Sequence, residues 1–123
     1  MIKGWLTQIV AKLRELAPDE CGKLDFPIGL EVDSSGDNSG WVVRVDEKRI
    51  ETRSKKEDEA KVTFYVNQNY LRALSINLRT KYWREAFDAR NITANVGDAG
   101  QKKKLEGLVK AIEKKEAESA AKP

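Results

Sequence analysis

The side chains that most often do chemistry are scarce in this sequence, and one type is missing. No histidine occurs among the 123 residues, which removes Ser-His and Cys-His activation of a nucleophile, imidazole metal ligands and the commonest general base. Cys21 is the only cysteine, so the chain has neither an internal disulfide nor a zinc framework, as fits a reducing compartment. Asp and Glu are plentiful, but they fall at polar strand positions, in loops and on exposed helix faces. A catalytic carboxylate pair needs burial to set its two pKa values apart, so these acids read as surface charges. The run Asp33-Ser34-Ser35-Gly36-Asp37-Asn38-Ser39-Gly40 offers oxygens but lacks the alternate ligand spacing, fixed Gly and distal Glu of a calcium loop. It reads as a turn. No catalytic residue, metal site or cofactor is assigned.

Two groups of charged residues point to binding. Gly97-Asp98-Ala99-Gly100 opens a helix and Lys102, Lys103 and Lys104 follow, so a phosphate or lipid headgroup near Gly100, Lys102, Lys103 and Lys104 would meet amide dipoles and ammonium groups together. The competing reading is a capped helix with a solvated lysine run. Arg44, Lys48, Arg49, Arg53, Lys55, Arg79, Lys81, Arg84 and Arg90, with Tyr65, Tyr82 and Trp83 for stacking, would suit a nucleic acid or an anionic surface. Interspersed acids argue against nucleic acid. The net charge is only +3, from 23 basic and 20 acidic residues, which is a weak pull on any anionic partner.

The elements that must position these residues follow from periodicity. Ile2, Trp5, Leu6, Ile9, Val10, Leu13 and Leu16 lie on one face of a helix that ends at Ala17, before Pro18. Phe26, Ile28, Leu30 and Val32 alternate as a strand with one dry face, and Pro27 favours an edge or strand-start position. Residues 33–40 read as a loop. Trp41, Val43 and Val45 mark a second strand; Ile50 and Thr52 mark a third after a tight turn at Asp46 to Lys48. Lys55 to Glu59 is a solvated mixed-charge connection. Val62, Phe64 and Val66 form a strand that stops at Asn67, a good N-cap for a helix carrying Leu71, Leu74 and Leu78. A second short helix carries Tyr82, Trp83, Ala86 and Phe87. Ile92, Ala94 and Val96 make the last strand. Asp98 and Gln101 resemble a capping box for a final helix burying Leu105, Leu108, Val109 and Ile112.

In sum this is an α+β chain with five strands, mainly antiparallel, and helices packed on one face of the sheet. The 40% hydrophobic and 35% charged shares fit one domain, assigned to residues 1–116, with a flexible tail over 117–123 that has no apolar anchor. Met1-Ile2-Lys3-Gly4-Trp5 lacks the apolar core of a signal peptide, and no stretch approaches the about 20 apolar residues of a membrane span. The expected location is cytoplasmic.

The order of elements resembles the sterol carrier protein 2-like family. The residues that carry the resemblance are Gly40-Trp41-Val42-Val43-Arg44-Val45, Ala60-Lys61-Val62-Thr63-Phe64, Leu71-Arg72-Ala73-Leu74, Glu85-Ala86-Phe87, Ile92 to Gly97, and Leu105 to Leu108. The likeness spans roughly Ile28 to Ile112. Asn77 and Ala89-Arg90-Asn91 stand where the family usually has glycines, and Tyr82, Trp83 and Arg84 add bulk that would narrow a tunnel.

The resemblance implies a non-catalytic fold with an apolar cavity between helices and sheet. It would bind or transfer an acyl, isoprenoid or sterol-like molecule, with Phe64, Val66, Leu71, Leu74, Leu78, Trp83, Phe87, Ile92 and Val96 as the cavity residues. The main alternative is a protein-interaction or accessory module with a filled interior. Transient contact with a membrane surface is compatible with either.

Overall fold

The computed structural model describes residues 1–34, 36–52 and 60–121. Its elements are α1 (Ile2–Leu16), α2 (Pro18–Gly22), β1 (Ile28–Ser34), β2 (Asp37–Arg44), β3 (Arg49–Thr52), β4 (Val62–Asn67), α3 (Gln68–Ile76), α4 (Thr80–Asp88), β5 (Ile92–Val96) and α5 (Ala99–Ala121). Five strands form one mixed sheet in the order β3-β2-β1-β4-β5. Among the described residues only the β1–β4 pair is parallel. The chain makes an antiparallel meander out to β3, then returns to the other side of β1 as β4, which leaves β1 at the centre.

The register explains the single dry face. Ile28 lies opposite Val43 and Val62, Leu30 opposite Trp41 and Phe64, and Val32 opposite Val66. Val62 and Val66 lie opposite Val96 and Ile92. Residues directly across a ladder point the same way, so these side chains make one continuous apolar surface. The helices cover it. The other face carries Glu31, Arg44, Tyr65, Thr93 and Asn95 on the same strands.

Several boundaries differ from the periodic pattern. The first helix ends at Leu16, and Pro18 then opens the five-residue α2, because a proline at the first helical position loses nothing. This extra turn drives Cys21 and Leu24 into the core, both fully buried. Phe26 is buried ahead of β1 rather than in it, and β1 starts immediately after Pro27; the missing N–H therefore falls outside the ladder of what is a central strand. The expected loop at 33–40 is a hairpin. Ser34 pairs with Asp37, Asp33 Oδ1 accepts the Gly36 N–H at 3.1 Å, and Gly36 takes a φ of 93° that glycine adopts without a Cβ penalty. The connection at Lys55 to Glu59 lies outside the described residues.

At the other end, α5 continues to Ala121. Ala, Lys and Glu are strong helix formers, so helical geometry persists past Glu116 although Ala117, Glu118 and Ser119 are all exposed.

Candidate functional site

Between the sheet and the helices lies a cavity of about 460 Å³ that opens to the surface. Its floor is the dry face of the sheet: Ile28 and Leu30 from β1, Val43 from β2, Phe64 and Val66 from β4, Ile92 and Val96 from β5, with Val45 just beyond β2. Its walls are Leu6, Ile9, Val10 and Leu13 of α1, Leu71 and Leu74 of α3, Trp83 and Phe87 of α4, and Leu105, Leu108 and Val109 of α5, with Leu24 and Leu78 between elements. Arg84, Lys102, Glu106 and Lys110 are the charged residues on it. Ligand-sized cavities in proteins share this character, with mostly apolar walls and a few polar groups.

Local rules position each wall. Asn67 ends β4 and caps α3: its Oδ1 accepts the Asn69 N–H at 2.8 Å, which satisfies one of the free amides of the first turn. Strand and helix are thereby joined without a loop. The first turn of α4 has no side-chain cap of its own. Glu116 of α5 supplies one, accepting the Thr80 N–H at 3.0 Å and the Thr80 hydroxyl. Arg84 also pairs with Glu113 of α5, so α5 is tied along the flank of α4. On the opposite side, Arg14 Nη1 donates to the carbonyls of Val45 and Asp46 at 2.8 and 3.0 Å and holds α1 over the β2–β3 turn. Asp98 Oδ1 accepts the Gln101 N–H at 2.9 Å and starts α5. That hydrogen bond, with Lys61 nearby, keeps the Asp98 carboxyl below the usual aspartate range. The reciprocal half of a capping box is missing, since Gln101 Oε1 is buried without a hydrogen-bond partner.

All nine residues expected at a cavity, Phe64, Val66, Leu71, Leu74, Leu78, Trp83, Phe87, Ile92 and Val96, lie on this one. Phe64 and Phe87 meet edge to face with centroids 6.2 Å apart, a geometry that adds about 0.5–1.5 kcal/mol to burial alone. Trp83 does not close the space. Its ring lies in the wall, and its indole N–H is buried with no hydrogen-bond partner. The part played by α1 was hidden in the sequence: its apolar stripe was legible, but an amphipathic stripe looks the same whether it meets a sheet or a void.

The four residues expected to hold an anion separate. Lys102 lies on the cavity, whereas Lys104 turns to Asp25, 3.0 Å away, and sits 6.0 Å from the Phe26 ring centroid. Gly100 and Lys103 are exposed and outside the lining. An anion at the start of α5 would compete with the Asp98 carboxylate, since a Cβ on Gly100 would already meet Asp98 Oδ1 at 3.2 Å. The basic residues offered for nucleic acid do not form one patch. Arg44 and Arg49 pair with Asp46, Glu47 and Glu51, and Arg53 and Lys55 lie outside the described residues. Among the described residues no Cys, Asp and Glu cluster could hold a metal ion, and no helix is long and apolar enough to cross a membrane.

No protein-family model and no curated protein matches the chain. Solved structures do. Sterol carrier protein 2-like 2 from Aedes aegypti superposes with a TM-score of 0.62 at 19% identity, over 85% of this chain and 92% of its own. The sterol carrier protein domain 2 of Helicoverpa armigera gives 0.59 at 18%, over 89% and 86%. A palmitated form of the Aedes aegypti protein gives 0.54 at 17%, over 83% and 91%. These likenesses cover most of the chain, which therefore has the sterol carrier protein 2-like fold.

Proposed function

We propose that this protein binds one lipid-like molecule, an acyl, isoprenoid or sterol-like compound, in the cavity between sheet and helices and carries it chemically unchanged. The observation behind this is the cavity itself: about 460 Å³ lined by aliphatic and aromatic side chains, with few charges. Such a site recognises hydrocarbon because transfer from water contributes about 0.8 kcal/mol per methylene. Ten methylenes give about 8 kcal/mol, which alone corresponds to the micromolar scale, and the lost freedom of ligand and side chains weakens binding from there, so longer chains are favoured. Phe64, Val66, Leu71, Leu74, Leu78, Trp83, Phe87, Ile92 and Val96 are the residues proposed to touch the chain of the ligand. The palmitated structure of the same fold supports an acyl group as one occupant.

Two facts support a carrier rather than an enzyme. The chain has no histidine, and the residues lining the cavity are mostly aliphatic and aromatic. Residues 1–116 are proposed as the binding domain, 117–123 as its tail, and the cytoplasm as its location.

Native mass spectrometry on freshly purified, undelipidated protein tests the function. A species heavier than the 13.9 kDa chain by the mass of one lipid is expected. Bare protein after incubation with a fatty acid, an isoprenoid and a sterol would sink the carrier function and leave an interaction or accessory module.

A further inference from the structure

Of the two edges of the sheet, one is defended against pairing and the other is not. β3 is four residues long and carries the charges of Arg49 and Glu51, features that discourage another strand from adding to it. β5 reads Ile92-Thr93-Ala94-Asn95-Val96, with no charge, no proline and an unbroken register against β4. Among the described residues it has no neighbour on its outer side. The helices leave this edge open. Ala94 lies opposite Phe64, on the dry face of the sheet, yet it is exposed, as are Thr93 and Asn95. The phase of the ladder decides which backbone groups point outward. The Gly97 N–H donates to the Lys61 carbonyl at 2.7 Å, one step beyond the Val62–Val96 pair. Hydrogen-bonded and non-bonded pairs alternate in an antiparallel ladder, so Thr93 and Asn95 direct their backbone groups to β4. The N–H and C=O of Ile92, Ala94 and Val96 face away from it.

We propose that β5 pairs antiparallel with β5 of a second copy of this chain, about a two-fold axis at Ala94, joining two five-stranded sheets into one. In that register the strand is self-complementary. Ala94 meets the partner's Ala94, Ile92 meets the partner's Val96, and Thr93 meets the partner's Asn95, so small faces small, apolar faces apolar and polar faces polar. The register uses the outward-facing groups of Ile92, Ala94 and Val96, each facing pair exchanging two hydrogen bonds. Just beyond the ladder, the same two-fold carries each Arg90 toward the partner's Asp98. Arg90 is exposed and forms no ion pair among the described residues, and the Asp98 carboxylate, with Lys61 at 3.6 Å, retains acceptor capacity. Any extended chain could satisfy the backbone groups. A second copy also matches the side-chain pattern and the charges at both ends, which is how an isologous contact closes on itself. Ile92 and Val96 belong to the cavity floor, so the partner's Val96 and Ile92 would stand beside them on the same face and the two floors would run together.

An edge of this length makes a small interface of the weak, reversible class. Sedimentation equilibrium of the full chain should therefore give 13.9 kDa when dilute and rise toward twice that mass as the concentration passes through roughly 10 μM to 1 mM. Ala94→Pro removes an outward N–H from both copies and leaves the β4 ladder intact, so association should weaken by about 10-fold or more. If that variant misfolds by circular dichroism, Ala94→Lys carries the test, since it sets two ammonium groups face to face. Arg90→Glu should weaken association several-fold, while Lys114→Glu with Lys115→Glu, on the far end of α5, should have little effect. Cross-linking reads the register directly. Residues facing each other in a hydrogen-bonded pair have Cα atoms about 5.5 Å apart, within reach of a disulfide, and the native Cys21 is fully buried. Mild oxidation should convert Ala94→Cys to a covalent dimer, and Thr93→Cys, which faces the partner's Asn95, far less. A mass of 13.9 kDa at every concentration, association unchanged by both substitutions at Ala94, or equal cross-linking at the two positions would each overturn the proposal. The first of these would leave the edge to an extended segment of another protein. None of these readouts requires a loaded cavity, so a failure of the carrier function would appear separately, in the mass spectrum.

Discussion

The indole nitrogen of Trp83 is a buried donor without an acceptor, and a group in that state costs about 1–3 kcal/mol. Trp83→Phe removes the donor as well as some apolar area, so the two effects nearly cancel. A stability change of less than about 1 kcal/mol is expected in urea unfolding, against about 2–4 kcal/mol for Trp83→Ala, which leaves a void. Adding bulk should act on binding instead. Leu74 is half-buried and Phe87 is 37% exposed, so Leu74→Trp and Phe87→Trp can fill the cavity with little strain on the core. Both should remove the lipid adduct while the melting curve stays cooperative; retention of the adduct by both would place the ligand elsewhere. Cys21 reports on the fold. Burial pushes its thiol up from the ordinary value, so little reactive thiolate forms. A disulfide reagent should modify the native protein far more slowly than the unfolded chain.

The helices are fastened to each other more than to the sheet. Glu116 caps α4 across 36 positions of sequence, and Asn67 caps α3 from the strand before it. Asn67→Ala should cost about 1 kcal/mol, the usual value of an N-cap. Glu116→Ala should cost about 1–2 kcal/mol, since it strands the N–H and hydroxyl of Thr80, a buried residue. Two carboxylates in the α5 region give a pH dependence. Asp25 is lowered mainly by its hydrogen bond from Lys104, and Asp98 mainly by the Gln101 N–H. A group whose folded value lies below its unfolded one binds its proton more weakly in the fold. Its contribution is complete above the ordinary aspartate range, near pH 4, and is lost as pH falls through the folded value. The difference in urea midpoint between the wild type and Asp98→Asn should therefore be larger at about pH 6 than at about pH 3. An equal difference at both would refute the assignment.

As a whole molecule the protein holds an apolar interior between one face of its sheet and the helices. A ligand that enters this interior binds only the folded state, so incubation with palmitate at about 100 times its dissociation constant should add about 2.7 kcal/mol to stability. For a chain of this size that is a rise in melting temperature on the order of 10 °C. An unchanged melting temperature would mean that palmitate does not reach the cavity.

Much of this architecture is written in local pattern. Alternation fixed the five strands, because period two can bury only one face of a sheet, and Asn67 and Asp98 marked two helix starts through their short oxygen-bearing side chains. Eight of the nine residues proposed for the cavity lie on the dry side of a strand or helix, while Leu78 falls in the connection between α3 and α4. Local pattern did not reveal the parallel pairing of β1 with β4, which depends on the path of the returning chain, nor α2, whose five residues are too few to show a period. Nor did it show that Lys104 would leave its neighbours for Asp25, a partner 79 positions away. Above all, whether the apolar faces meet or stand apart is a matter of how far α1 and α5 are held from the sheet. Arg14, Glu113 and Glu116 take part in setting that spacing through partners distant in sequence. The sequence determined which side chains are apolar and which way they point; the tertiary structure alone decided that they surround a space, because a wall and a core have the same periodicity.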